Sequence, residues 1–113
     1  MHRDDVARVR HMLDAAREAQ GFILHQTRGA LDANRVLVLA LVRLIEVIGE
    51  AAAQISKEFQ EAHPDIPWAQ IIAIRNRLIH AYFDVDMDRV WDTVVDDLPP
   101  LIAKLEPIVP PES

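Results

Sequence analysis

Arg75, His80 and Tyr82 fall within one octapeptide, Arg75-Asn76-Arg77-Leu78-Ile79-His80-Ala81-Tyr82, near the end of a strongly apolar segment where core residues would be expected. Together they suit phosphate chemistry. A guanidinium is a fixed, permanently charged fork for phosphoryl oxygens, an imidazole titrates near neutrality, and a tyrosine carries a phenol hydroxyl. The rest of the chain reads as scaffold.

Helical geometry limits how these groups can meet. At about 100° and 1.5 Å per residue, Arg75 and His80 differ by roughly 140° in direction and about 7.5 Å in height. Asn76 and His80, four apart, share a face, and Arg75 and Tyr82 agree to within about 20°. One phosphate can therefore meet both Arg75 and His80 only if the helix ends between them or if two copies face each other across an axis. A twofold dimer would make a cleft with two arginines and two histidines. The plainer alternative leaves Arg75 and Arg77 as solvated charges, His80 hydrogen-bonded at a helix C-terminus, and Tyr82 as a core aromatic with its hydroxyl at the surface.

The elements that must position the octapeptide are helical. Val6, Val9, Leu13, Ala16, Ile23 and Leu24 keep a helical period, so a first helix is expected from about residue 4 to 25, capped by Asp4 or Asp5. Gln26 to Gly29 ends it. From Asn34 to about Ala62 there is no proline and one glycine, Gly49, which predicts a second helix about 42 Å long, capped by Asp32. Arg43, Glu46 and Glu50 form one polar line on it. Its remaining apolar surface calls for cover from its own bundle and from a second copy of the chain. The turn His63 to Pro67 leads into a third helix running to about His80, with Pro67 in its first turn. After a connection from Phe83, Asp86 caps a fourth helix to Asp97, which Pro99 and Pro100 break or kink before a last segment from Leu101 to Ile108. Pro107, Pro110 and Pro111 mark a loose end. No alternating run of strand length appears, and the expected architecture is a single all-α domain, residues 1–113, an antiparallel bundle of four to five helices dimerising through the long helices.

Composition narrows the function classes. In 113 residues, half of them hydrophobic, there is room for one domain with a real core. With no cysteine there is no disulfide framework and no thiolate zinc site, and the N-terminus lacks a secretion-signal pattern, so a cytoplasmic protein is expected. Val36 to Ile55 is interrupted by Arg43, Glu46 and Glu50 and reads as a buried helix rather than a membrane span. The net charge of −6 argues against a surface that coats nucleic acid. Residues 1–60 hold eight Lys/Arg and eight Asp/Glu, whereas residues 61–113 hold four and ten. Any RNA contact must be local, through the first half and the Arg75/Arg77 pair.

The octapeptide and its surroundings resemble the HepT-like toxins of the HEPN superfamily. Their signature is arginine, four residues, histidine, any residue, tyrosine. The likeness extends to Arg3-Asp4, His11-Met12-Leu13, Leu39-Ala40-Leu41, Glu46-Val47-Ile48-Gly49-Glu50-Ala51-Ala52, Ile66-Pro67-Trp68, Tyr82-Phe83-Asp84-Val85-Asp86 and Val90-Trp91-Asp92-Thr93-Val94. Ala73 stands where the family often has glycine. The resemblance implies a HEPN helical bundle forming a homodimer, with both motifs in an interfacial cleft. It implies a metal-independent endoribonuclease toxin of a type VII-like toxin–antitoxin pair, with no cofactor, Arg75 and His80 catalytic, and Asn76, Arg77 and Glu46 in support. It further implies a minimal nucleotidyltransferase antitoxin that transfers AMP from ATP to Tyr82. A different class of function, a non-catalytic helical module presenting nucleotide or substrate to a nucleotidyltransferase, fits the same fold and partner.

Other signals are weaker. Asp84, Asp86 and Asp88 resemble the start of a calcium loop, but Arg89 and Val95 stand where glycine and glutamate are needed, so Asp84, Asp88, Asp92 and Asp96 are expected as a solvated stripe at fourfold helical spacing. His2, His11, His25 and His63 lack paired metal-ligand spacing and are expected at surfaces or turns. Arg43, Glu46 and Glu50 form either an internal salt-bridged stripe or, in Glu46 or Glu50, a carboxylate orienting Arg75.

Overall fold

Two long helices, Arg3–Phe22 (α1) and Arg35–Gln54 (α3), lie against each other, and their facing residues set the core. The computed structural model describes residues 3–81 and 84–110; the side chains of Arg3, Arg75, Ile79, His80, Ala81 and Asp84 lie outside that description. On α1 the buried face is Val9, Met12, Leu13, Ala16 and Ala19, and on α3 it is Val38, Leu41, Val42, Ile45, Ile48 and Ala52. The alanines of α1 let the two helices approach closely, while the branched residues of α3 fill the space between them.

The expected second helix is in fact two. α3 stops at Gln54, and a short helix, Lys57–Ala62 (α4), starts after Ile55 and Ser56. The break is held from a distance: both carboxylate oxygens of Asp5 accept from Ser56, one from its backbone N at 2.8 Å and one from its Oγ at 2.7 Å. Ser56 Oγ in turn accepts from Phe59 N at 3.2 Å and caps α4. Asp5 is therefore a buried acceptor, 2% exposed, rather than a cap for its own helix. The cap expected at Asp32 belongs instead to Asn34, whose side chain accepts from Leu37 N at 3.1 Å, and Asp32 lies in a short extra helix, Gly29–Ala33 (α2). Arg28, just before α2, donates to Asp88 at 2.6 Å and comes within 3.3 Å of Asp32 without hydrogen-bond geometry.

The third long helix, Trp68–Leu78 (α5), packs on α3 at Gly49. A Cβ at Gly49 would lie 3.2 Å from the carbonyl oxygen of Ile71, a backbone atom fixed by its own helix. Gly49→Val is therefore expected to push α5 outward and cost about 1–3 kcal/mol, read as a lower thermal midpoint. Trp68 anchors the start of α5: its indole N–H donates to His63 O at 3.0 Å and its ring meets Phe59 edge-on.

α5 ends at Leu78, earlier than the sequence suggests. Ile79–Ala81 (β1) pairs antiparallel with Asp84–Val85 (β2), with partners Ile79/Val85 and Ala81/Asp84 and an irregularity between them, and Asp86 N donates to Leu78 O at 2.7 Å. This ribbon is the one β element among the described residues of an otherwise all-α fold. Asp86 then caps Met87–Asp92 (α6) as expected, accepting from Arg89 N at 3.0 Å. The run continues through a π-helical segment, Thr93–Asp97, into Leu98–Leu105 (α7). Pro99 and Pro100 do not break it, because they fall in the first turn of α7, where the missing N–H groups are not needed. The expected aspartate stripe is not continuous: Asp84 lies on β2, Asp88 pairs with Arg28, and Asp96 lies in the π-helical segment. Nor is the end loose as far as Pro110, whose carbonyl accepts from Arg10 at 3.0 Å while Arg17 pairs with Glu106 at 2.5 Å.

Candidate active site

The end of α5 decides the geometry of the octapeptide. Arg75, Asn76 and Arg77 lie in its last turn, Leu78 closes it, and His80 lies on β1. A chain that leaves the helix at Leu78 no longer carries the 100° step, so the helical-face comparison made for Asn76 and His80 does not apply beyond that residue, and the alignment expected of Arg75 with Tyr82 lies outside the described residues. Of the two arrangements that let one phosphate meet Arg75 and His80, the first, a helix that ends between them, is the one present. The side chains of Arg75 and His80 lie outside the described residues, and so does Tyr82 altogether.

Asn76 and Arg77 are exposed, and Leu78 is fully buried as the plug beneath them. Asn76 and Arg77 diverge by about 100° on the helix. Arg77 faces a cleft of about 300 Å³ between α3, α5 and α7, floored by Ile45, Ile48 and Ile74 and rimmed by Arg89, Asp97 and Lys104 as well as Arg77. Partial burial pushes the Asp97 carboxyl above the usual carboxylate range, with Asp96 adding to the rise and Arg89 and Arg77 opposing it. Lys104 donates to the Asp65 carbonyl at 2.8 Å, which leaves it two further N–H donors. Arg89, Asp97 and Lys104 were not singled out by motif. A census would have found the cations: residues 61–113 contain only Arg75, Arg77, Arg89 and Lys104 as Lys/Arg, and three of those four rim this cleft.

The polar line of α3 is divided. Arg43 pairs with Glu50 at 3.4 Å, with both side chains more than 60% exposed, so this is a surface pair worth about 0–1 kcal/mol rather than an internal stripe. Glu46 is half-buried and engaged rather than free. Beside Arg43 the same surface of α3 carries Val36 and Leu39, 76% and 49% exposed, an apolar row uncovered in the protomer. Of the other histidines, His2 lies outside the described residues. Among the described residues no group of three His, Cys, Asp or Glu could hold a metal ion, and His63 instead packs on Phe59 with ring centroids 4.5 Å apart. His25, in the turn after α1, takes a φ of 65°. No helix among the described residues is long and apolar enough to cross a membrane.

Known proteins share much of this sequence. A protein of Thermococcus cleftensis named "Probable ribonuclease HepT" is 46% identical over 67 residues, 59% of this chain and 61% of that protein. A protein of Caldanaerobacter subterraneus subsp. tengcongensis named "Putative RNase" is 40% identical over 78 residues, 69% of this chain and 70% of its own length. One of Methanocaldococcus jannaschii, named "Gamma-glutamylcyclotransferase and putative RNase", is 32% identical over 101 residues, 89% of this chain but 46% of that protein. The chain thus spans about three fifths of the first of these relatives and less than half of the last. No solved structure matches. The family model described as "Ribonuclease HepT-like" matches residues 12–108, a stretch that runs from the core face of α1 through the whole Arg75–Tyr82 octapeptide to the turn after α7, and the chain belongs to that family.

Proposed function

We propose that this protein is a metal-independent endoribonuclease acting as the toxin of a toxin–antitoxin pair, with Arg75 and His80 as its catalytic residues. The observation that supports the reading best is the termination of α5 at Leu78, because it removes the 140° separation that a continuous helix would impose on the two residues. An imidazole at position 80 would take the proton from a ribose 2′-OH or give one to the leaving 5′-oxygen, and a guanidinium at position 75 would stabilise charge growing on the phosphate. The 2′-oxygen forms its bond to phosphorus as the bond to the 5′-oxygen breaks, leaving a 2′,3′-cyclic phosphate and a 5′-hydroxyl. No metal is needed to supply the nucleophile, since the 2′-OH is already held beside the phosphorus. Asn76 and Glu46 have supporting roles, Glu46 by orienting Arg75 from α3.

The exposed row Val36 and Leu39, with the Arg43–Glu50 pair beside it, supports a homodimer through α3, which would bring two copies of the motif to one interface. Tyr82, two residues beyond His80, is the residue a nucleotidyltransferase antitoxin would modify with AMP; the added bulk and negative charge would exclude RNA phosphate. The experiment is RNA cleavage by the purified protein in chelator, comparing wild type with Glu46→Gln, alongside sedimentation and a mass spectrum of protein co-expressed with the adjacent reading frame. Cleavage by wild type, reduced in Glu46→Gln without loss of the dimer, is expected. Absence of cleavage by wild type freed of AMP would favour a non-catalytic module, and a co-expressed chain lacking AMP-sized mass on Tyr82 would overturn the modification.

A further inference from the structure

The cleft between α3, α5 and α7 gathers cations on an acidic protein. Three cations rim it in a half of the chain that carries ten acidic residues against four basic ones, and the fourth basic residue is Arg75. Among the described residues, Arg77 and Arg89 act on Asp97 through space rather than through a hydrogen bond, so both guanidinium forks can still bind oxygen. Beneath them lies an aliphatic floor, and the volume of about 300 Å³ suits a single base with its sugar rather than a helix or an extended peptide.

We propose that this cleft is a subsite for one nucleotide of single-stranded RNA adjoining the scissile phosphate, with Ile45, Ile48 and Ile74 against the base and Arg77, Arg89 and Lys104 at the phosphate. This rests on the ribonuclease reading for the word scissile, though not for RNA binding itself. Arg77 is three residues from His80, at most about 11 Å of chain, so an RNA strand held at the end of α5 reaches both. Ile45 stands nine residues from Val36 on α3, about 180° around the helix, so a dimer formed through the exposed row leaves the cleft open. Among the described residues no aromatic ring lines the cleft, so their contact with the base is apolar rather than stacked, and the subsite should be tolerant of sequence.

The test is fluorescence anisotropy of the intact protein with a labelled single-stranded oligoribonucleotide whose 2′-oxygens are methylated, so that it cannot be cut. The double variant Arg89→Ala/Lys104→Ala is expected to weaken binding at least tenfold and to lower the slope of log affinity against log salt by about 1.4, roughly 0.7 per lost contact. Arg8→Ala/Lys57→Ala, the same charge change away from the cleft, is expected to have less than a third of that effect. Asp97→Asn removes the one carboxylate on the rim among the described residues and is expected to tighten binding severalfold; as a gain, that result cannot come from misfolding. Equal losses in the two double variants, or wild-type affinity in the cleft variant together with no gain in Asp97→Asn, would overturn the subsite. Because binding is read rather than cleavage, a protein that binds through the cleft and never cuts RNA would refute the catalytic reading alone, and one that cuts RNA while ignoring the cleft variants would refute the subsite alone.

Discussion

His80→Ala is expected to lower the rate of RNA cleavage by about 10²- to 10⁴-fold, the usual contribution of a positioned acid or base, with folding unchanged. The substitution falls on β1, whose backbone pairs with β2. Arg75→Ala is expected to cost about 10²- to 10³-fold through lost stabilisation of the transition-state charge. The comparison that matters is Arg75→Lys. Lysine keeps the charge but not the planar fork, so incomplete rescue would point to bidentate contact with phosphate oxygens. The pH profile assigns the role of His80: activity lost toward acid marks a base, and activity lost toward alkali marks an acid. A profile flat from pH 5 to 8, or full activity in His80→Ala, would remove His80 from the mechanism.

Asp5→Ala is expected to be the most damaging single change outside the hydrophobic core. It deletes two charge-assisted hydrogen bonds at 2.7 and 2.8 Å and leaves the Ser56 N–H without its acceptor where the main chain turns from α3 to α4. Each bond to a charged acceptor is worth about 1.5–3 kcal/mol, and sharing and relaxation bring the total to about 3 kcal/mol. For a domain of this size that is a fall in thermal midpoint of roughly 10–20 °C. Asp5→Asn is the control: an amide keeps one acceptor oxygen but presents N–H groups where the second acceptor stood, so it should recover less than half of the loss. If Asp5→Ala melts within a few degrees of wild type, the clasp is not what stabilises the break.

The helices were legible in the sequence, and so was the local chemistry of their starts. Asp86 caps α6 as its position before an amphipathic stretch implies, and Pro67 precedes α5 by a single residue. What escaped was long-range or very short. Ser56 is a good cap by type, but in a run of helix formers only its partner Asp5, 51 residues away, makes the break at Ile55–Ser56 the stable choice. The β1 strand has three residues, too few to show a period of two, and its partner begins only after two intervening positions. The chemistry divides in the same way. The octapeptide announced itself by residue type, whereas Arg89, Asp97 and Lys104 lie at spacings that no ordinary helix period aligns.

That misalignment traces to the π-helical segment Thr93–Asp97. In an uninterrupted α-helix Asp97 would sit about 80° and Lys104 about 60° away from Arg89. One extra residue in the turn sets the thread back by about 100°, which brings Asp97, Leu101 and Lys104 to within roughly 40° of Arg89. The C-terminal helix is thus phased by a single surplus residue, like a screw restarted a quarter-turn late. Its consequence is a constraint separate from the packing of the buried Thr93 and Val94: the residue count of this turn cannot change. A one-residue deletion there would rotate α7 as a body, taking Leu101 and Leu105 out of the core and Lys104 off the rim together.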